Sequence, residues 1–188
     1  MRYKKFEGDN LYFSPLDIND LPLFTKWVND ETLTRGLGNV SLNISELAEK
    51  DFLEKAAKDM QRYQFSVITK KDDKLLGTYD LHFVQPYNRY AEVGGFIGEI
   101  SERGKGYGTE ALTMICDFGF NVLNLQTLVA RIYSFNIASL RSAQKVGFKQ
   151  VGRITKRVFY AGNYYDEIIL ELHNNEFYEN HKTYVKPI

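Results

Sequence analysis

The chain has 188 residues, with 24 basic and 24 acidic side chains, so its formal net charge at pH 7 is zero. That balance argues against a protein that binds nucleic acid or anionic membranes, since both usually require a basic excess. A single cysteine, Cys116, excludes an internal disulfide framework, and the three histidines match no zinc spacing, so no metal is expected. The length predicts one domain over residues 1–188, with a polar tail at about 174–188.

The N-terminal segment has basic residues but lacks the apolar core of a signal peptide. No stretch of the sequence is long and apolar enough to span a bilayer. We therefore expect a cytoplasmic protein that has neither nucleic-acid nor membrane partners.

Hydrophobic periodicity and turn residues divide the chain into strands and helices. Pro22 falls in the first turn of the first helix, where proline is tolerated. Asn43, with Glu46 three residues later, resembles a capping box and predicts the start of a second helix that turns Met60 inward. In chain order we predict a strand at 10–16, a short helix after Asp20, a loop at 29–40, a helix at about 44–60, strands at 63–69, 74–84 and 89–97, a helix to about 122, a strand at 127–133, a helix at 136–146, and strands at 148–155 and 164–172.

This order predicts the fold class. Three consecutive strands over 63–97 are close enough in sequence to run antiparallel, whereas the later β-α-β portions need crossover helices. We therefore predict an α/β (α+β) fold with a mixed, mostly antiparallel sheet flanked by helices on both faces.

A glycine-rich loop runs directly into the helix that ends near residue 122. Glycine lets another molecule approach the backbone closely, and the free N–H groups at a helix N-terminus favour an anion. A phosphate cradle is the favoured interpretation, and a tight turn that merely starts a helix is the alternative. The residues of the loop are Arg103, Gly104, Lys105, Gly106, Tyr107, Gly108 and Thr109.

The spacing of these glycines excludes the common nucleotide fingerprints. The loop reads G-x-G-x-G, not the G-x-G-x-x-G of a dinucleotide fold, and no strand leads into its first glycine. A Walker loop needs Ser or Thr after its Lys, whereas Lys105 is followed by Gly106. The loop does resemble the acyl-CoA pyrophosphate loop of the GNAT N-acetyltransferases, whose pattern Arg103, Gly106 and Gly108 fill.

The helix at 136–146 resembles the second GNAT signature, in which an Asn opens a helix that ends in Lys-x-Gly-Phe. Asn136 is a good N-cap in its own right, and Gly147 permits the left-handed conformation that ends a helix. The order of elements also resembles the GNAT fold. The resemblance implies that acetyl-CoA is the co-substrate, held by residues 103–109 together with Asn136 and Ser139.

The strand at 91–98 contains three glycines, which suits a bulged strand that a ligand approaches closely. In the GNAT family this strand splays from its neighbour, and its free backbone groups bind the pantetheine arm as an added strand would. The resemblance places Phe96, Ile97 and Gly98 along the pantetheine. A backbone N–H near Phe96 or Ile97 would then stabilise the oxyanion.

Glu92 lies in an Ala-Glu-Val segment, eleven residues before Arg103. Histone-type members of the superfamily carry a general base in a similar setting, so the resemblance makes Glu92 the candidate base. The chemistry requires one, because an amine is protonated at neutral pH and must lose a proton before it attacks a thioester. The alternative is an ordinary strand glutamate, either solvated or paired with an arginine such as Arg89.

One position departs from the family pattern. Spermidine-type members carry a tyrosine acid four residues before the helix-ending glycine, and here that position is Ala143. Ser139, Tyr133 and Tyr107 are candidate replacements, unless no protein acid is needed. The departure counts against a polyamine acceptor, and the arrangement is more similar to the RimJ/RimL-type subgroup.

Asp80 and His82 share one face of their predicted strand. They could bind an amine or assist the base, or they could form a structural or solvent-exposed pair.

These features predict an N-acetyltransferase that moves an acetyl group from acetyl-CoA to a primary amine by direct attack in a ternary complex. The acceptor would be a small-molecule amine or a protein N-terminal amine, and the resemblance is consistent with a homodimer. Three alternatives stay open: a non-catalytic CoA-binding regulatory module, a polyamine acetyltransferase, and a nucleotide-binding protein.

Overall fold

The computed structural model describes residues 2–59 and 62–185, and it is built around one mixed sheet. Within these residues the sheet has eight strands: β1 (Phe6–Glu7), β2 (Leu11–Ser14), β3 (Tyr63–Thr69), β4 (Leu75–Gln85), β5 (Tyr90–Ile97), β6 (Thr127–Tyr133), β7 (Lys149–Tyr160) and β8 (Asn163–His173). The helices in the same ranges are α1 (Leu21–Val28), α2 (Glu31–Leu37), α3 (Glu46–Lys58), α4 (Tyr107–Asn121), α5 (Ile137–Val146) and α6 (Asn174–Asn180). None of these helices is long and apolar enough to cross a bilayer.

The strands lie side by side in the order β1-β2-β3-β4-β5-β6-β8-β7. Neighbouring strands run antiparallel, except that β5 and β6 run parallel. The parallel pair arises because α4 lies between β5 and β6 in the chain and acts as their crossover connection. The predicted mixed, mostly antiparallel sheet is confirmed.

Helices pack on both faces of the sheet, as predicted. On one face lies α4, whose residues 111–120 are all buried. On the other face α1 and α3 bring Trp27 and Leu53 against Tyr12 and Ile68 of the sheet. This second helical layer covers only part of its face, and the uncovered part carries the polar side chains described below.

The predicted loop at 29–40 is wrong over most of its length, because α2 lies within it. The helix begins where the Asp30 carboxylate accepts a hydrogen bond from the Thr32 N–H, and it ends at Gly38 in the left-handed conformation. The segment is polar and contains two threonines and Gly36, which have low helix propensity, and this is why the pattern suggested a loop. Burial of Leu33 and Thr34 stabilises the helix instead.

The predicted helix at 44–60 is observed with different ends. Ser45, not Asn43, is the N-cap, since its hydroxyl accepts a hydrogen bond from the Ala48 N–H at 3.2 Å. The helix ends at Lys58, and Met60 lies outside the described residues.

The predicted polar tail packs onto the domain over its described part, 174–185. Phe177 of α6 is fully buried in the main core. Beyond α6, the buried Asp117 carboxylate on α4 accepts hydrogen bonds from the Thr183 hydroxyl and from the backbone N–H of Tyr184. One buried carboxylate thus holds residues 183 and 184 against α4.

Candidate active site

Strands β5 and β6 separate partway along their length. They pair only where Tyr90, Ala91 and Glu92 face residues 127–129. Beyond that point β5 continues against β4 to Ile97, and β6 continues against β8 to Tyr133. The predicted splay is therefore present, and it opens a wedge between two strands at the centre of the sheet.

Backbone N–H groups of β5 point into this wedge. The Gly98 N–H donates to the Leu76 carbonyl of β4 at 2.8 Å, and successive N–H groups along a strand alternate sides. The N–H groups of Gly95 and Ile97 therefore face away from β4. Consistently, the Ile97 carbonyl is also directed away from β4, where it accepts a hydrogen bond from Arg103 Nε at 2.9 Å.

The glycine loop and the start of α4 form the second wall. Gly104 and Gly106 have φ angles of +78° and +93°, in the left-handed region, and a Cβ added at either position would meet no atom within 4 Å. Gly106 is the N-cap of α4 and supplies no side-chain bond to the first turn. The first N–H groups of α4 have no acceptor within the helix, and residues 106, 108 and 109 line a cavity at the positive end of the helix dipole, which suits a phosphate.

Two neighbouring cavities, which share part of their lining, occupy this region. The larger has a volume of about 840 Å³ and lies between the glycine loop, α2 and α5. The smaller has a volume of about 300 Å³ and is lined by residues of the wedge together with the polar side chains Glu92, Arg131 and Glu167. The residues that line both cavities are Gly36, Leu37, Tyr79, Gly95, Asn136, Ser139 and Ser142.

Most of the residues predicted from the sequence line these cavities. Glu92 lines the smaller cavity. The larger is lined by Phe96, Ile97, Arg103, Gly104, Gly106, Gly108, Thr109, Asn136 and Ser139.

Three predicted residues face elsewhere. A Cβ on Gly98 would collide with the indole ring of Trp27, so this glycine permits the close approach of α1 to the sheet. Lys105 Nζ lies 2.7 Å from a carboxylate oxygen of Glu102. The Tyr107 side chain packs against the main core.

The ends of α4 and α5 are linked at the cavity wall. Thr109 Oγ1 on α4 lies 3.0 Å from Ser142 Oγ on α5. Asn136 caps α5 by accepting a hydrogen bond from the Ser139 N–H at 3.3 Å. On the opposite wall, a Cβ added to Gly36 would lie 2.8 Å from Asn136 Nδ2, so α2 closes directly over this cap.

A row of charged side chains crosses four strands on the open sheet face. His82 Nδ1 lies 3.2 Å from Asp80 Oδ2, and His82 Nε2 lies 3.8 Å from Glu92 Oε2. Arg131 Nε donates to Glu92 Oε1 at 3.1 Å, and Arg131 Nη1 lies 3.5 Å from Glu167 Oε2. The hydrogen bond that Arg131 donates to Glu92 raises the pKa of Arg131, so the guanidinium stays charged.

Glu92 is therefore paired, but with a different arginine from the one considered in the sequence. Arg89 instead donates to the backbone carbonyl and the side chain of Asn124. The register of β5 and β6 explains why Glu92 pairs with Arg131. Glu92 lies beside Val129 in the parallel pair, and Arg131 is the next residue of β6 on the same face.

Comparison with known proteins agrees with this geometry. Residues 10–149 match the family model for the acetyltransferase (GNAT) domain. The chain belongs to the GNAT family. It is 30% identical to an SPbeta prophage-derived uncharacterized N-acetyltransferase of Bacillus subtilis (strain 168), over 93% of this chain and 96% of the relative. The chain is thus a GNAT N-acetyltransferase.

Two further likenesses are to spermidine acetyltransferases. The spermidine N(1)-acetyltransferase of Escherichia coli (strain K12) is 27% identical, over 71% of this chain and 70% of the relative. The crystal structure of a spermidine N-acetyltransferase from Vibrio cholerae, in complex with CoA and spermine, matches with a TM-score of 0.82 at 19% identity. That match covers 91% of this chain and 99% of the other, and it confirms the GNAT fold.

In this GNAT enzyme Ala143 is buried at the wall of the smaller cavity, where it offers no proton donor. Of the three hydroxyls considered in its place, Tyr133 and Ser139 line the cavity and Tyr107 does not. The Tyr133 hydroxyl forms no hydrogen bond with residues 2–59 or 62–185.

Sequence reasoning missed several residues that line these cavities. Tyr79 lines both cavities and donates its hydroxyl to the Gly108 carbonyl at 3.0 Å, which ties β4 to the glycine loop. Arg141 and Lys145 also line the larger cavity. The i,i+4 spacing of these two cations, on the helix that Asn136 opens, was the signal that could have identified them.

Proposed function

We propose that this N-acetyltransferase binds acetyl-CoA and a primary amine together and transfers the acetyl group directly between them. The observation that supports this most strongly is that two cavities with shared lining residues meet at the wedge. The glycine loop before α4, the open edge of β5 and the Glu92 carboxylate all border these two cavities. A donor and an acceptor that enter from opposite sides of the sheet would meet in the wedge.

In this proposal the pyrophosphate of acetyl-CoA lies against the loop at 103–109 and the first turn of α4. The pantetheine extends along β5, where the N–H groups of Gly95 and Ile97 are unpaired by β6. Asn136 and Ser139 border the thioester. The V. cholerae relative, whose crystal structure contains CoA, supports this choice of donor.

The proposed chemistry needs one proton to leave before the attack and one to move after it. Glu92 takes a proton from the acceptor ammonium, and the free amine then attacks the thioester carbonyl. The Ile97 N–H stabilises the resulting oxyanion. The C–S bond breaks, and the second amine proton passes to the CoA thiolate, with Tyr133 or Ser139 as the adjacent hydroxyl.

An acyl-enzyme on Cys116 is disfavoured. The thiol is fully buried within α4, and that burial raises the pKa of Cys116 well above its ordinary value. A buried thiol that stays protonated is a poor nucleophile, which favours direct transfer.

We propose that the acceptor is a small-molecule amine. The carboxylates Asp80, Glu92 and Glu167 lie beside or within the smaller cavity and favour a cationic ligand. The spermidine acetyltransferases among the relatives support a polyamine, whereas Ala143 and the similarity to the RimJ/RimL-type subgroup support another amine or a protein N-terminus. We also propose that residues 1–188 form a single domain and that the protein is cytoplasmic.

The test is an acceptor screen. Purified protein is incubated with acetyl-CoA and, separately, with spermidine, a simple alkylamine, an amino sugar or a peptide with a free N-terminus, and free thiol is followed. We expect amine-dependent thiol release with a small-molecule amine and weaker release with the peptide. Saturable CoA binding without thiol release for any amine would instead support the regulatory module.

Arg141 and Lys145 provide a prediction about the donor. Both are exposed, lie one turn apart on α5 and border the larger cavity, so we expect them to contact the 3′-phosphate of CoA. The double variant Arg141→Ala/Lys145→Ala should raise the KM for acetyl-CoA about 10-fold, because about 1.4 kcal/mol of binding is lost.

The same variant should leave the KM for 3′-dephospho-acetyl-CoA unchanged, because that donor lacks the phosphate. Lys149→Ala is the matched control, since Lys149 pairs with Glu176 instead of lining the cavity. Equal effects on both donors would show that Arg141 and Lys145 act elsewhere.

A further inference from the structure

We propose that His82 relays the acceptor's proton from Glu92 to solvent, and that Asp80 positions its imidazole for that role. The relay rests on the proposed function in one respect, since it takes Glu92 as the base. It adds a proton exit to the site and assigns roles to two residues outside the family signatures.

The hydrogen bond to Asp80 determines which nitrogen of His82 carries the proton. A carboxylate only accepts hydrogen bonds, so at 3.2 Å from Asp80 Oδ2 the His82 Nδ1 atom is the protonated one. In the neutral ring, Nε2 then holds the lone pair. That lone pair faces Glu92 Oε2, which is the direction from which a proton would come.

The two oxygens of Glu92 have different surroundings. Oε1 accepts a hydrogen bond from Arg131 Nε at 3.1 Å, whereas Oε2 faces His82 Nε2 at 3.8 Å. Arg131 keeps Oε1 occupied, so the proton of the ammonium is taken on Oε2. The 3.8 Å separation is longer than a hydrogen bond. A small rotation of the carboxylate would shorten it, or one water molecule would bridge the two atoms.

Exposure gives the relay its direction. The Glu92 side chain is 19% exposed and the His82 side chain is 39% exposed, so the proton moves from a shielded group toward solvent. A bound acceptor would cover Glu92 further. His82 lies on β4, one strand away from the wedge, where it also lines the smaller cavity and is the more exposed of the two side chains.

The proton balance is complete without another reactant. The ammonium loses one proton to Glu92 Oε2, and that proton passes to His82 Nε2, which gives an imidazolium held by Asp80. The imidazolium then releases it to water. After the attack, the second amine proton passes to the thiolate, so each turnover yields amide, CoA thiol and one proton in solution.

The charges around His82 suit this cycle. The hydrogen bond to Asp80 raises the pKa of His82, and the charges of Asp80 and Glu92 act in the same direction, while burial and Arg62 oppose them. Since the relay needs a neutral ring, activity should fall as the pH drops below the pKa of His82. Asp80→Asn removes the largest raising contribution and should move that acidic limb to lower pH.

The first arm of the test does not depend on acetyl transfer. The imidazole of His82 is titrated by NMR in the wild type, in Asp80→Asn and in Glu92→Gln. We expect an Nδ1–H tautomer in the neutral wild type and a lower pKa for His82 in each variant. The relay would be overturned by an Nε2–H tautomer, or by a pKa of His82 that is the same in Glu92→Gln as in the wild type, even if the enzyme is fully active.

The second arm is kinetic. His82→Ala should lower kcat on the order of 10-fold to 100-fold with an unchanged KM for acetyl-CoA, and added imidazole should restore part of the loss. The matched control is His173→Ala, because His173 is 37% exposed and hydrogen-bonds to Glu171 and Thr127 away from both cavities. It should retain activity and should not respond to imidazole.

The outcomes separate the two proposals. A wild-type rate and pH profile in His82→Ala, or a loss that imidazole leaves unchanged, would overturn the relay while Glu92 remains the base. A wild-type enzyme that acetylates no amine would overturn the proposed function, and the NMR arm would still decide whether His82 and Glu92 are coupled.

Discussion

Gly106→Val is expected to raise the KM for acetyl-CoA on the order of 100-fold. Gly106 precedes the first turn of α4, and a Cβ added there would enter the open space that the free N–H groups face. A valine side chain would displace the pyrophosphate from these donors. Losing two hydrogen bonds to a charged group costs about 3 kcal/mol, which corresponds to the expected change.

The substitution also strains the backbone, so this effect needs its own control. Gly106 has a φ of +93°, which a β-branched residue adopts at a cost of about 1–2 kcal/mol. Gly162, in the turn between β7 and β8, has a φ of +80° and equally open surroundings. Gly162→Val should therefore lower the melting temperature by a similar few degrees and leave the KM for acetyl-CoA unchanged.

Steady-state kinetics and thermal melts with and without acetyl-CoA measure both effects. The wild type and Gly162→Val should be stabilised by acetyl-CoA through mass action, and Gly106→Val should lose most of that stabilisation. Equal KM values in all three proteins would remove the phosphate cradle from the site. Stabilisation of the wild type by ATP or NAD, but not by acetyl-CoA, would favour a nucleotide site.

Glu92→Gln is expected to lower kcat by about 100-fold or more at neutral pH, the usual contribution of a general base. The amide keeps the shape of the side chain and retains an oxygen for Arg131, so the fold and the KM for acetyl-CoA should be unaffected. The loss should shrink as the pH rises, because more of the acceptor is already the free amine and no longer needs a base.

Glu171→Gln is the matched control for this variant. Glu171 lies on β8, lines neither cavity and pairs with His173. It should retain the wild-type rate. If Glu92→Gln showed the wild-type rate and pH profile, the carboxylate would have no part in the reaction, and the relay through His82 would lose its proton source.

Gly98 shows that a glycine in a strand can mark a close approach to the backbone that has a different cause from the predicted one. Three glycines in one strand predicted a ligand close to the backbone. Gly95 does line the cleft, but Gly98 lies against Trp27 and donates its N–H to Leu76. A glycine signals that something approaches the backbone closely, and the sequence alone does not distinguish a ligand from a tryptophan of another helix.

The features that the sequence determined are local ones. The left-handed glycines before α4, the Asn136 cap and Gly147 at the end of α5 each depend on a few neighbouring residues. The strands at 63–69 and 127–133 were recognisable for the same reason, because alternation and β-branched residues lie within the strand itself. Such patterns also carried the GNAT resemblance.

Only the tertiary structure decided which residues meet. Arg131 is 39 residues from Glu92, and its place beside that carboxylate follows from the parallel register of β5 and β6. The packing of α2 over Asn136 and the contact of His82 with Glu92 likewise join distant segments. Local propensity does not predict such pairs, because they depend on burial and on strand register across the whole sheet.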